Sequence, residues 1–454
     1  MQMRWMWIVL VAVAGGLTGY LVTRFEGSEP TIATSAETVY VGGEHRHVFE
    51  IDDEGTGVER VEIRLEADGH SYPLMDERFA GNLLTGASEK GSRSVEVAFD
   101  VEEFGLPDGP ARLVAEASDF SWRGNVASVG VELVVDTRSP RVSVLTGLTY
   151  VARGGSEAAV YRADDDAWHS GIQVGERFYA SFPHPELEGY RVALYGLPHD
   201  ADPNTRPAVL ARDRAGNETR IALTTRIVDK PLYSDRIRLD EPFMARKVAE
   251  IDPDLDGSPL EAYLQINGSL RARNAERLRE LCRESSPERL WEGAFLQLPN
   301  SATRRAIGFG VRRTYTFGDR IVDRQTHLGL DLASTARAPV PASNHGRVVL
   351  AENLGIYGKT VVLDHGLGVF SLYAHLSEIL VSPGDALSKG DVLGRTGTTG
   401  LAGGDHLHFS MLVQGHFVDP LEWLDGRWIA DHIEPKLQGP PAEASMDPSG
   451  PRQG

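Results

Sequence analysis

The segment Lys359-Thr-Val-Val-Leu-Asp-His-Gly-Leu-Gly-Val-Phe-Ser-Leu-Tyr373 decides the fold class of the C-terminal third of the chain. Two apolar runs flank a glycine-rich break, the pattern of two strands joined by a turn. Arg347-Val-Val-Leu-Ala351 before it and Leu407-His-Phe-Ser-Met-Leu-Val413 after it repeat the pattern. Together they predict a compact, mostly antiparallel β domain over residues 297–426. Toward the N-terminus, Val61–Glu66, Ser94–Phe99, Ala111–Glu116 and Val129–Val135 alternate apolar and polar residues. A strand repeats every two residues, so each predicts a strand with one buried face. The chain is therefore mainly β.

The regular spacing of the N-terminal strands predicts two β-sandwich modules, at residues 32–137 and 138–229. A weak internal repeat supports the pair. The stretch from Ala115 through Asp119 to Gly124-Asn125 is similar to Ala211-Arg-Asp-Arg-Ala-Gly-Asn217, and each leads into a strand ending at Val135-Asp136 or Val228-Asp229. This pattern resembles bacterial immunoglobulin-like modules, which implies a spacer or a wall-binding pair, with cell-envelope protein partners as a further expectation. His45-Arg-His47 has no H-x-x-x-D companion nearby and reads as part of a strand.

At 454 residues the chain holds roughly two to four domains. A net charge of −19 argues against nucleic acid as the main partner. Cys282 is the single cysteine, so no intrachain disulfide forms. Trp5 to Val22 carries no charge, with Arg4 before it and Arg24 after it. At about 1.5 Å per residue this run nearly crosses a hydrocarbon core of about 30 Å. Residues 1–24 are expected to be an uncleaved signal anchor, a transmembrane helix. A cleaved signal peptide ending near Ala12-Val-Ala14 is the alternative, and it would waste the apolar residues beyond.

Residues 230–296 change character and predict a helical neck. Ser258-Pro259-Leu260-Glu261 is a capping box with proline at the first helical position. Leu260, Tyr263, Leu264, Leu270, Leu278 and Leu281 then recur on one face. A second box, Ser285-Ser-Pro-Glu288, predicts a shorter helix through Trp291. Cys282, among arginines with no Cys-His-Asn pattern, reads as a core thiol. Asp252-Pro-Asp254-Leu-Asp256-Gly257 imitates a calcium loop, but its twelfth position is Tyr263, where a bidentate glutamate is required. Residues 427–454 are expected to be a C-terminal tail, disordered in its last part.

Eight of the fourteen histidines lie between His327 and His432, and this concentration marks the site. His327 and Asp331, four apart in extended chain, share a face, as do His406 and His408. Zinc prefers imidazole and carboxylate, and catalytic sites give it three protein ligands with an open position. His327, Asp331 and one of His406 and His408 supply those three. The spacing does not say which. The remaining histidine and His375 would face the reacting water as base and as charge stabiliser.

From about Pro299 to Leu424 the chain resembles the lysostaphin-like (LytM-type) zinc metallopeptidases that cleave peptidoglycan. The resemblance rests on Phe309-Gly310-Val-Arg312-Arg313-Thr-Tyr315, His327-Leu-Gly-Leu-Asp331, Tyr357-Gly358-Lys-Thr-Val361, Tyr373-Ala-His375-Leu-Ser377, Gly397-Thr398-Thr-Gly400 and His406-Leu-His408-Phe409. It implies a duplicated hybrid motif fold, zinc ligands at His327, Asp331 and His408, and catalytic histidines at His375 and His406. The neck, with Gln265-Ile-Asn267, also resembles the segment before the domain in membrane-anchored relatives. Two departures stand beside the site: Asp405 where the family often has proline, and Ser410 where it often has an acidic residue. His365 is expected to be structural, and His345, His416 and His432 to lie in loops or on the surface. The resemblance implies stem-peptide cross-links of peptidoglycan as substrate, in the periplasm or extracytoplasmic space, with the chain single-pass in the inner membrane. The rivals are a non-catalytic activator of other wall hydrolases and a histidine phosphocarrier of related fold. The first would have lost metal ligands, and the second would have no use for a membrane segment.

Overall fold

The computed structural model describes residues 2–89, 91–231, 233–303 and 308–439. They form two compact units, Met1–Pro140 with Asp166–Trp168 and Arg212–Glu218, and the remainder. In the first unit, α1 (Gln2–Arg24) contains a 20-residue apolar span, Trp5–Arg24, exposed from Trp5 to Thr23 and buried only at Arg24. Strands from Thr31 to Val135 build a three-stranded and a five-stranded sheet. Their facing side chains, including Phe49, Ile51, Val97, Ile63, Leu65, Leu113 and Leu133, form a single apolar core. The predicted alternation is visible in Val58–Ala67, where Val61, Ile63 and Leu65 are buried and the residues between them are partly exposed. Those intervening charges pair across the outer face, Arg64 with Glu66 and Glu116.

The internal repeat has a physical basis. Asp119 accepts from the backbone N–H of Asn125 at 3.1 Å and from its Nδ2 at 2.8 Å. Asp213 accepts the same pair from Asn217, at 2.9 and 2.8 Å. In each copy the carboxylate closes the turn through the asparagine, an arrangement that needs both residues.

In the second unit, strands between Val142 and Val228 form two four-stranded sheets and a two-stranded pair. The chain then enters β1 (Ser234–Leu239), α2 (Glu241–Ile251), α3 (Pro259–Gln265), a π turn at Ile266–Leu270 and α4 (Arg271–Leu281). The capping box at Ser258 forms, with Ser258 and Glu261 each bonding the other's backbone N–H. β1 lies parallel to β2 (Val311–Phe317), which pairs antiparallel with β3 (Arg320–His327). The large sheet follows: β4 (Leu330–Leu332), β5 (Gly346–Asn353), β6 (Lys359–Asp364), β7 (Val369–Leu376), β8 (Leu407–Val413) and β9 (His416–Val418). Its order is β4-β8-β7-β6-β5, then Ala386–Leu387, with β9 also on β8, every pair antiparallel.

Both faces of this sheet are covered, which is why β7 and β8 are buried along their whole length. Val361, Leu363, Tyr373 and Phe409 join a core shared with Tyr161, Tyr179 and Tyr195 of the preceding sheets and with Trp291 and Trp423. Val362, Phe370, Leu372 and Leu412 pack instead on Ile266, Leu278 and Cys282 of the neck. The strands between Val142 and Val228 and the large sheet thus share one apolar core. Polar contacts reinforce the join: Gln414 bonds the backbone N–H and C=O of Ala180 at 2.8 and 2.7 Å, and buried Glu157 pairs with Lys436 and His432.

Two expectations need correction. The second capping box starts no helix, because its groups are paired elsewhere: Ser285 Oγ accepts from Gly368 N at 2.9 Å and donates to Asp364 at 2.6 Å, while Glu288 N donates to Ser286 Oγ at 3.2 Å. His416 and His432 are not free surface residues, since His416 opens β9 and His432 stacks on Trp428 with its Nδ1 3.1 Å from Glu157. Part of the expected tail, Gly426–His432 and Glu434–Leu437, is helical and buries Ile429, Ile433 and Leu437. The expected disorder of its last stretch lies outside the described residues. His365 is structural, with its two ring nitrogens on His345 O and Ser371 Oγ.

Cys282 is fully buried, and burial pushes its thiol up, so it serves as a built-in probe of the neck interface. The native chain is expected to resist thiol labelling. Leu278→Ala, which opens a cavity beside Cys282, is expected to lower stability by about 2–5 kcal/mol, read as labelling of Cys282 at lower urea concentration.

Candidate metal centre

Strand register builds the centre. Asp331 on β4 lies directly opposite His408 on β8, and His408 lies opposite Ala374 on β7. His327 ends β3, and Leu328-Gly329 carry the chain across to β4. A Cβ on Gly329 would stand 2.6 Å from the His408 ring, so glycine lets that imidazole lie against the backbone between His327 and Asp331. His375 is brought in by a bulge. Lys359 pairs with Leu376 and Val361 with Tyr373, so Ala374 and His375 together face Thr360. His375 takes φ +62°, a left-handed conformation that re-aims its side chain.

Donor atoms of His327, Asp331 and His408 lie within 4.8 Å of one another. His327 Nε2 and His408 Nδ1 are each 3.0 Å from Asp331 Oδ1 and 3.0 Å from one another. The opposite ring nitrogens are occupied. His327 Nδ1–H donates to Gly308 O at 3.0 Å, a carbonyl that can only accept. His408 Nε2 meets Ser410 Oγ at 3.0 Å, and that hydroxyl donates onward to Leu328 O at 2.9 Å, so it accepts from His408. Each neutral ring therefore turns a bare lone pair toward Asp331. Three acceptors facing one another in a buried place call for a cation, and two imidazoles with one carboxylate suit a metal.

His375 and His406 stand beside this group, their rings 5.0 Å apart and that of His375 5.6 Å from His408. They are held the same way. His375 Nδ1–H donates to Thr399 O and His406 Nδ1–H to Gly404 O, both at 2.8 Å, leaving each Nε2 for the site. His406 Nε2 lies 3.5 Å from Asp331 Oδ1. The structure thus brings together all five residues singled out from the sequence.

Where protons rather than a metal fill the centre, burial alone would raise the Asp331 carboxyl, but the charge of a protonated His327 and the hydrogen bonds that protonated rings of His327, His406 and His408 donate hold it well below the usual carboxylate range. Burial pushes His408 down to about 4, and it drives His375 well down, helped by its histidine neighbours. Burial is the largest influence on His406 and opposes its charging, but the hydrogen bond and the charge of Asp331, with the bond to Gly404 O, together outweigh it and the group is raised.

Several contributors were not singled out from the sequence. Arg313 Nη2 bonds Asp331 Oδ2 at 2.7 Å, so the carboxylate offers Oδ1 to the centre and keeps Oδ2 on the arginine. Arg313 lies in one of the quoted motifs, but its direction depends on β2 pairing with β3. Ser410 was noted only as a departure, and it is the partner of His408. Asp405, the other departure, accepts from Arg337 N at 3.1 Å and braces a loop. The neck supplies Tyr263 and Arg271 to the cavity of about 230 Å³ in which the histidines sit.

Residues 325–420 match the model of Peptidase family M23. The peptidoglycan DD-endopeptidase ShyA of Vibrio cholerae is 32% identical over 167 residues, 37% of this chain and 35% of that protein. The DD-carboxypeptidase/endopeptidase Mpg of Neisseria meningitidis is 38% identical over 130 residues, 29% of each chain. Among solved structures, the catalytic domain of lysostaphin from Staphylococcus simulans is 28% identical, with 29% of this chain and 98% of that one covered and a TM-score of 0.25. The chain spans about a third of the length of these curated relatives. Its residues 325–420, which hold the converging histidines and Asp331, are a Peptidase family M23 domain.

Proposed function

We propose that this protein is a zinc metalloendopeptidase that hydrolyses peptide cross-links of cell-wall peptidoglycan. The observation that carries the reading is the set of three lone pairs turned on one point, each ring fixed by a partner on its far side. His327 Nε2, Asp331 Oδ1 and His408 Nδ1 would hold the zinc. In such a donor set zinc supplies a Lewis acid and brings the pKa of water to about 7. His375 and His406 act as the catalytic pair. Of their Nε2 atoms, turned to the site by the bonds to Thr399 O and Gly404 O, one accepts a proton from the attacking water and returns it to the leaving amine, and the other, protonated, donates to the carbonyl oxygen on which charge develops. Arg313 keeps Asp331 oriented. The neck wall narrows the approach to an extended peptide, and Arg271 offers a carboxylate partner there.

The apolar span of α1 supports a single-pass anchor in the inner membrane, with the centre on the extracytoplasmic side where the wall is. The two sheet assemblies between Thr31 and Val228 then act as immunoglobulin-like modules between anchor and catalytic domain.

The soluble part, given purified sacculi, is expected to remove cross-linked muropeptide dimers, as read by mass analysis. His408→Ala should lose both activity and metal, whereas His375→Ala should lose activity and keep about one zinc per chain. Undiminished dimers with the parent protein would exclude the enzyme and favour an activator of other hydrolases. Ser410→Ala leaves the His408 ring without its far partner and should weaken zinc binding about 10–100-fold, measured by competition with a chelating dye.

A further inference from the structure

Helix α2 carries a lysine where its pattern calls for an apolar residue. Met244, Lys247, Val248 and Ile251 follow the i, i+3, i+4, i+7 spacing of a buried face. Met244, Val248 and Ile251 do pack into apolar clusters. Lys247 is only 3% exposed in the same row. A lysine is seldom buried unless its ammonium is paired. Its Nζ donates to Glu250 Oε2 at 2.9 Å and to Thr398 O at 2.6 Å. Glu250 Oε1 in turn accepts from Gly400 N at 2.9 Å. The pair on α2 therefore grips one short segment on both sides of Thr399.

That segment serves both candidate catalytic histidines. Thr399 O accepts from His375 Nδ1, and Gly397 O accepts from the backbone N–H of His406 at 3.2 Å. The peptidase domain holds the Thr399 hydroxyl itself, through Leu376 O at 2.8 Å and Lys359 N at 3.0 Å. It leaves the Thr398 carbonyl and the Gly400 amide to the neck.

We infer that Lys247 and Glu250 are positioning residues for His375: through Thr398 and Gly400 they set the carbonyl that holds its ring with Nε2 toward the centre. The neck is then a working part of the site. This rests on the reading of His375 as catalytic, but its structural half can be tested without activity.

The test uses the full zinc-loaded chain in detergent, as parent, Lys247→Met and Glu250→Ala. The glutamate side chain is 36% exposed and tolerates truncation if the buried lysine does not. Misplacement of a reacting group by about 1 Å can cost about 100-fold. We therefore expect kcat on a cross-linked muropeptide to fall about 10- to 100-fold, with KM and zinc content as in the parent. In parallel, ring ¹⁵N resonances of labelled histidine should show His375 leaving its single Nδ1–H tautomer. A KM effect with unchanged kcat, or a kcat close to the parent's with the His375 resonances unmoved, would overturn the inference. If the parent cleaves nothing, the peptidase reading fails, and the His375 resonances alone decide: unmoved in both variants, they refute the clamp.

Discussion

Two imidazole nitrogens and one carboxylate oxygen, each 3.0 Å from the others, hold the key to this molecule. In a buried setting such acceptors repel unless a cation joins them, and an unpaired buried polar group is costly. The fold therefore has to hold them in place. Register across β4, β8 and β7 sets Asp331 opposite His408 and brings the His375 bulge alongside. Gly308, Ser410, Thr399 and Gly404 occupy the outer nitrogens of the four rings. Gly329 keeps the space that the His408 ring needs.

The sheet that carries the centre is enclosed on both faces. On one side it shares a core with the strands between Val142 and Val228, and on the other it lies against α2, the π turn and α4 of the neck. A sheet covered on both faces deforms little, and a catalytic site benefits from rigid support. The neck is covalently upstream of the domain yet supplies part of the cavity wall, as β1 extends the β2–β3 sheet and α2 grips the Thr398–Gly400 segment.

Much of this was legible in the chain. Period-two alternation located the strands, since a half-buried strand must alternate, and the capping box at Ser258 placed a helix start correctly. The five site residues stood out because few other reasons collect histidines at such spacings. What stayed hidden depended on partners distant in sequence. Spacing alone left His406 and His408 open and only the family resemblance named His408; the register of β4 on β8 puts His408 Nδ1 at 3.0 Å and His406 Nε2 at 3.5 Å from Asp331 Oδ1. Ser285 has the local pattern of a helix cap, but its hydroxyl is engaged by Asp364 and Gly368, about eighty residues on. Lys247 carries no local mark of its role, because its partner Thr398 lies 151 residues on.

The most direct test of the account is X-ray absorption at the zinc edge on the full chain, loaded with one equivalent of metal. The expected spectrum has two imidazole nitrogens and one carboxylate oxygen from the protein, at about 2.0–2.2 Å, with one imidazole lost in His408→Ala and none in His406→Ala. Loss of an imidazole from the His406→Ala spectrum, or an unchanged spectrum for His408→Ala, would contradict it.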